Sequence, residues 1–305
     1  MTAKTLSLRD AALALAVVAV WGVNFVVIRV ALDALPPLLL AALRFTFVLL
    51  PAVFFLPRPA TSWGNLAAYG VFIGVGQFGI LFIAMNGMIS PGLASLVVQM
   101  QVFFTIGLSM HRQKEKLAVH QMLALAMAIA GIGVIMAHTG GSGGHTTTVL
   151  GLALAIIASF CWAVANQVSR EAGPVNMLSY VIWASLFSVP PLFALSFIRE
   201  GWPAISSGIT HAGWGTWAAV IWQSVGNTMF GYAVWAWLLS RYPAATVSPM
   251  SLLVPVFGMG AASLFLGESL EAWKIVAALL VLGGLGLNLL WGRRKLAVTP
   301  PLEQP

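Results

Sequence analysis

Ten runs of apolar residues, each close to the ~20 that an α-helix needs to cross a bilayer, follow one another along this chain with short breaks between them. They fall at Ala11–Ala31, Leu38–Leu56, Leu66–Met85, Leu93–Met110 and Leu117–Ala137, then at Val149–Val168, Met177–Ile198, Trp214–Leu239, Ala244–Leu266 and Ala272–Trp291. Hydrocarbon offers a backbone no water to bond with, so each run has to satisfy its own N–H and C=O groups as a helix. With 60% of its 305 residues hydrophobic and 8% charged, the chain lacks the polar surface of a water-soluble fold. The expectation is an all-α membrane protein of ten transmembrane helices, with the lipid bilayer as its partner and no room for a large soluble domain.

The net charge of +7 does not point to nucleic acid, because the basic residues sit in small groups between apolar runs. If all ten runs span, Lys4, Arg9, Arg58, Arg112, Lys114, Lys116, Arg170, Arg241, Arg293, Arg294 and Lys295 share one face of the membrane. Only Arg199 and Lys274 lie on the other, and Arg29 and Arg44 fall within or at the ends of runs. Cationic loops stay in the cytoplasm, so both termini are expected there. The basic, apolar start lacks a small-residue cleavage site and reads as a retained first span. The single cysteine, Cys161, allows neither an internal disulfide nor a thiolate zinc site.

After the fifth run the pattern starts again. Trp21 and Arg29 recur as Trp162 and Arg170, and Val75-Gly76-Gln77 as Val225-Gly226-Asn227. Further on, Ser95 matches Ser248, Phe104 matches Phe257, Glu115-Lys116-Leu117 matches Glu268-Ser269-Leu270, and Gly131-Ile132-Gly133 matches Gly284-Leu285-Gly286. The organisation read from this is a first five-helix repeat at 1–138, a glycine-rich connector at 139–147, a second repeat at 148–292 and a tail at 293–305. An odd number of spans per repeat makes the second enter the membrane from the opposite side. Two inverted five-helix repeats around a central cavity are a transporter architecture, in which rocking of the halves exposes a midplane site to alternate sides.

The chemistry of an enzyme is missing. His111, His120, His138, His145 and His211 stand at loop edges without metal-ligand spacing, and no phosphate loop, nucleophile elbow or carboxylate pair is present. No metal and no cofactor is expected, and a membrane-embedded enzyme on lipid substrates is the weaker alternative. Asp10, Asp33, Glu115, Glu171, Glu200, Glu268, Glu271 and Glu303 all lie at span ends or in loops. A carboxylate at the membrane centre, as a relay for cationic drugs would need, is therefore absent.

Trp21-Gly22-Val23-Asn24-Phe25-Val26-Val27-Ile28-Arg29, Pro36-Pro37 and Leu43-Arg44-Phe45 resemble the first two spans of the drug/metabolite transporter superfamily, in its EamA-type branch. Pro91 to Leu96 and the pair Gly267-Glu268 are similar to that family's repeat marks, and the likeness covers nearly the whole chain. Gly92 to Ser95 leading into Gln99-Met100-Gln101, together with Ser251-Leu252-Leu253-Val254-Pro255, most resemble bacterial exporters of cysteine and O-acetylserine. The sequence departs from the repeat pattern where Lys114 stands opposite Gly267 and Val102 opposite Pro255. The resemblance implies an inner-membrane exporter of amino acids or related small metabolites, with the first four helices of each repeat around a cavity and the fifth outside as a support. A broader permease for drugs or nucleotide-linked metabolites is the alternative within the superfamily.

The candidate cavity residues follow. Asn24, Gln77, Gln99, Gln101, Asn166, Gln223 and Asn227 are amides within spans; each either glues helices together or offers the paired donor and acceptor that suit a zwitterion. Arg44 either attracts a carboxylate or makes a structural bond or snorkels to the interface. Trp21, Trp162 and Trp183, with Trp222, Trp235 and Trp237, lie away from the interfacial belts and either pack or line a cavity, as do Phe78, Phe82 and Tyr232. Ser251 joins them through the resemblance. Pro51, Pro190-Pro191, Pro249 and Pro255 are expected to kink spans, and Gly70, Gly74, Gly76 and Gly79 to give one helix a track for close packing.

Overall fold

In a computed structural model, which describes residues 6–113, 118–139 and 147–298, every regular element is helical. The main helices are α1 (Leu8–Ala31), α2 (Pro37–Leu49), α3 (Trp63–Met85), α4 (Pro91–His111), α5 (Val119–Ala137), α6 (Val149–Glu171), α7 (Met177–Arg199), α8 (214–241), α9 (Ser248–Leu266) and α10 (Ala272–Val298). A short helix, Gly201–His211, lies between α7 and α8. Among the described residues nine stretches are long and apolar enough to cross a membrane. α8 falls outside that set because Gln223, Ser224, Asn227 and Thr228 dilute its apolar character, yet it is helical from end to end. The glycine-rich connector at 140–145, Lys114 to Leu117 and the tail from 299 lie outside the described residues.

The helix starts are written locally. Ser7, Ser62, Thr148 and Asn176 each cap a helix, accepting from the backbone N–H three residues on, and Pro37 and Pro91 occupy first-turn positions where no N–H is needed. The prolines act less uniformly than expected. Pro190 and Pro191 stay inside a continuous α7. Pro51 follows the end of α2, and Pro249 lies in the 3-10 segment Ser248–Leu253 that opens α9.

The middle of α3 (Val71–Gly79) and the middle of α8 (Trp222–Phe230) are both π-helical, and both α4 and α9 carry a 3-10 segment in their first half. Such wide or tight turns re-aim side chains and collect at functional sites. α2 packs on α7, α4 on α9 and α5 on α10, while α1 packs on α8 and α9 and α6 on α3 and α4. The α5–α10 contact runs through Gly131 against Val281 and Gly284 against the Ala124 carbonyl. The glycines of α3 do pack closely: Gly70 against Ala184, Gly74 against Ser188, Gly76 against Cys161 and Gly79 against Leu192. Ser188 Oγ donates to the Gly70 carbonyl at 2.7 Å in that seam.

The outer surface is rich in apolar side chains, among them Leu123, Ile129, Phe197, Leu264 and Leu279, as a protein solvated by lipid requires.

Candidate functional site

A cavity of about 310 Å³ lies between α1, α3, α4, α6, α8 and α9, with Met177 of α7 at its rim. That volume is at the lower end of the ~300–1,000 Å³ usual for small-molecule sites. Its amides are Asn24, Gln77, Gln99, Gln101, Asn166 and Asn227, its aromatics Trp21, Phe25, Tyr69, Phe78, Trp162, Tyr232 and Trp235, and its hydroxyls include Ser95, Ser169, Ser248 and Ser251. No ionised side chain is among the lining residues. Three pairs matched between the sequence halves, Trp21 with Trp162, Gln77 with Asn227 and Ser95 with Ser248, all line this one space.

The polar lining is partly preorganised. Asn166 Nδ2 donates to Gln101 Oε1 at 2.9 Å, and Thr105 Oγ1 donates to the Gln101 carbonyl at 2.7 Å. Gln99 Nε2 donates to the Ser251 carbonyl at 3.3 Å, in the 3-10 segment of α9. Trp21 Nε1 donates to the Asn227 carbonyl at 3.1 Å, and its ring tilts against Trp235 at 5.1 Å and Tyr232 at 6.2 Å. Asn24 Oδ1 and Gln77 Oε1 are buried without a hydrogen-bond partner, and a buried amide oxygen left unpaired costs ~1–3 kcal/mol.

Toward the end of the bundle where α1 begins, the lining residues Ser169, Met177, Trp235 and Ser248 are half-buried. At the other end Ile28, Leu81 and Ser95 are each 1% exposed. Closure there is tight: a Cβ on Gly22 of α1 would lie 2.6 Å from the Val254 carbonyl oxygen, and one on Gly258 of α9 would lie 2.5 Å from Ser95 Oγ. Glu268 and Glu200 lock the same end by accepting hydrogen bonds at the starts of α4 and α2. Among the described residues the cavity is the more open toward the end where α1 begins.

Four of the expected residues stand elsewhere. Trp183 points to the segment between α2 and α3, donating to the Leu56 carbonyl at 3.1 Å and packing on Trp63. Phe82 is fully buried behind the wall, edge-on to Phe78 at 5.8 Å. Gln223 is fully buried with neither amide atom bonded. Arg44 is 1% exposed and lies one layer behind the wall, its guanidinium 3.6 Å from the Phe78 ring centroid, with Nη2 donating to Thr228 Oγ1 at 3.1 Å. α2 therefore contributes no lining side chain, although the resemblance implied that it would.

Tyr69, Ser95, Ser169, Met177 and Ser248 line the cavity without having been singled out for it. Tyr69 and Met177 stand near span ends, where a sequence reads them as interfacial, and the serines carry no signal beyond the match of Ser95 to Ser248. Trp222 is turned outward and Trp237 packs under Arg241.

A second, shallower pocket of about 400 Å³ sits at the closed end, lined by Arg29, Asp33, Glu268 and Lys274 among others. Its charges are already matched: Arg29 pairs with Asp33, and Lys274 lies 3.4 Å from Glu268 and 4.0 Å from Glu271. These contacts are structural clamps. Among the described residues no group of three or more His, Cys, Asp or Glu is placed to hold a metal.

Comparison with known proteins identifies a family and relatives. Residues 9–137 and 149–290 each match the profile of the EamA-like transporter family. A probable amino-acid metabolite efflux pump of Escherichia coli K12 is 38% identical over 297 residues, covering 96% of this chain and 99% of that protein. Its counterpart of the same description in Salmonella typhimurium LT2 is also 38% identical, over 93% of this chain and 95% of that one. A solved crystal structure superposes with a TM-score of 0.59 at 20% identity, covering 94% of this chain and 98% of its own, a likeness of fold.

Proposed function

Because the chain belongs to the EamA-like transporter family, within the drug/metabolite transporter superfamily, we propose that it exports amino acids or closely related metabolites across a bacterial inner membrane by alternating access. It is a multi-pass membrane protein and a transporter, not an enzyme. The observation that carries the substrate class is the cavity lining, which combines neutral amides and aromatic faces with no ionised side chain. Amides offer a donor to a carboxylate and an acceptor to an ammonium at once, and aromatic faces attract the ammonium further. The two relatives described as amino-acid metabolite efflux pumps support the same class.

The mechanism rests on ten spans arranged as two inverted five-helix repeats, 1–138 and 148–292. Three features support it: two separate matches to one family profile, π segments at matching places in α3 and α8, and matched residues meeting in one cavity. With the termini in the cytoplasm, the open end of the cavity faces the cytoplasm. Substrate then enters from inside, and release requires the Gly22–Gly258 contact and the Glu200 and Glu268 clamps to part as the other end closes.

The test is export from cells. Bacteria lacking their own amino-acid exporters, fed dipeptides, accumulate the free amino acids; expression of this chain is expected to lower that pool and raise the medium concentration. An unchanged pool for every amino acid, with the protein present in the membrane, would remove the assignment.

A further inference from the structure

Arg44 is the largest fully buried side chain among the described residues. One of its three guanidinium nitrogens bonds Thr228, while Nε and Nη1 have no partner. All described acids stand at helix ends, so no carboxylate faces it from within the bundle. The neighbouring helices add further unspent groups: Gln77 Oε1 on α3, and both amide atoms of Gln223 on α8. A cation so placed is costly unless an anion arrives. A ring of the cavity lining covers it. Phe78 lies 3.6 Å from the guanidinium carbon and is itself a lining residue, held edge-on by Phe45 and Phe82.

We propose that Arg44 is a carboxylate subsite of the cavity, screened by Phe78, and that the substrate's carboxylate reaches the guanidinium when the Phe78 ring swings aside. The inference rests on the amino-acid reading and goes beyond it by saying which end of the substrate is recognised, and where. With the cavity empty, the aromatic face holds the cation. A carboxylate then replaces the ring, taking the free N–H groups in charge-assisted bonds. The ammonium is left to the amides and aromatics of the cavity. Because Phe78 covers the guanidinium, molecules with an ammonium but no carboxylate enter the cavity without engaging it.

The experiment is counterflow in proteoliposomes with matched pairs of an amino acid and its carboxamide, using the wild type, Arg44→Gln and Phe78→Ala. The wild type is expected to prefer the acid, and Arg44→Gln to lose about tenfold or more of that preference, the loss of a hydrogen bond to a charged group. Phe78→Ala leaves the guanidinium in place, so it also serves if Arg44→Gln does not fold; it is expected to lower the KM for the acid several-fold relative to that for the amide. An acid-to-amide ratio unchanged in both variants overturns the subsite while leaving the amino-acid reading intact. A wild type that carries neither acid nor amide overturns both.

Discussion

Glu268, one residue past the left-handed Gly267 that ends α9, accepts a hydrogen bond from the Ser90 hydroxyl at 2.5 Å and another from the Gly92 backbone N–H at 3.0 Å. One carboxylate from the second half of the chain thereby caps a helix start in the first. Glu200, at the end of α7, does the same for α2, accepting from the N–H groups of Leu38 at 2.6 Å and Leu39 at 3.1 Å. A carboxylate suits the positive end of a helix dipole, and both clamps sit at the closed end of the cavity.

Replacing Glu268 with Gln removes the charge and leaves Lys274, which is 5% exposed, with a weakened partner set. A hydrogen bond to a charged group contributes ~1.5–3 kcal/mol. The melting temperature in detergent is expected to fall by at least about 2 °C; equal melting of the two proteins would mean the clamp holds nothing.

Gly22→Ala places a Cβ 2.5 Å from Phe257 Cβ and 2.6 Å from a backbone carbonyl, neither of which can rotate away. Overpacking of this kind costs ~1–3 kcal/mol and falls on the contact that closes the cavity. With Cys161→Ala as background and Ser95→Cys as reporter, Gly22→Ala should speed labelling by an impermeant thiol reagent from the side opposite the termini. Unaltered labelling would show that the closure does not depend on this contact.

Asn166→Ala deletes the donor to Gln101 Oε1 and one amide of the lining, at a half-buried position. The KM for transported amino acids should rise by up to about tenfold, the worth of one neutral hydrogen bond, with little change in melting. A KM equal to that of the wild type would take Asn166 out of the binding surface.

Gly231→Ala would put a Cβ 2.3 Å from Trp21 Nε1, whereas Gly226→Ala on the same helix meets nothing nearer than 3.5 Å. The first is expected to displace Trp21 from the Asn227 carbonyl, cut transport and shift tryptophan emission; the second should do neither. Similar behaviour of the two would mean the position of Trp21 is not set by this contact.

Much of the fold was legible because lipid imposes it: apolar runs near the length of a span mark helices, and nearly every expected boundary lies within a few residues of the observed one. Helix α8 is the instructive case, since the polar residues that dilute its hydropathy, Asn227 among them, are those that its π segment turns into the bundle. The cavity was legible through residue type, because an amide within a span has few places to go. Depth was not. Arg44 and Gln223 carry the same polar signal as Gln77 and Asn227, and only helix rotation separates a lining residue from one a layer behind; π and 3-10 turns set that rotation without a mark in composition. Trp183 misled for a related reason, its indole being spent on the Leu56 carbonyl.

The most direct test of the account is counterflow in proteoliposomes of the purified protein, with labelled neutral amino acids outside and a saturating unlabelled load inside, for the wild type and Gln77→Ala. Gln77 lines the cavity and is held there with its side-chain oxygen buried and without a hydrogen-bond partner. Exchange of several amino acids by the wild type, reduced about tenfold by Gln77→Ala in a protein that still melts cooperatively, is the predicted result. Wild-type flux no greater than that of empty vesicles would contradict it.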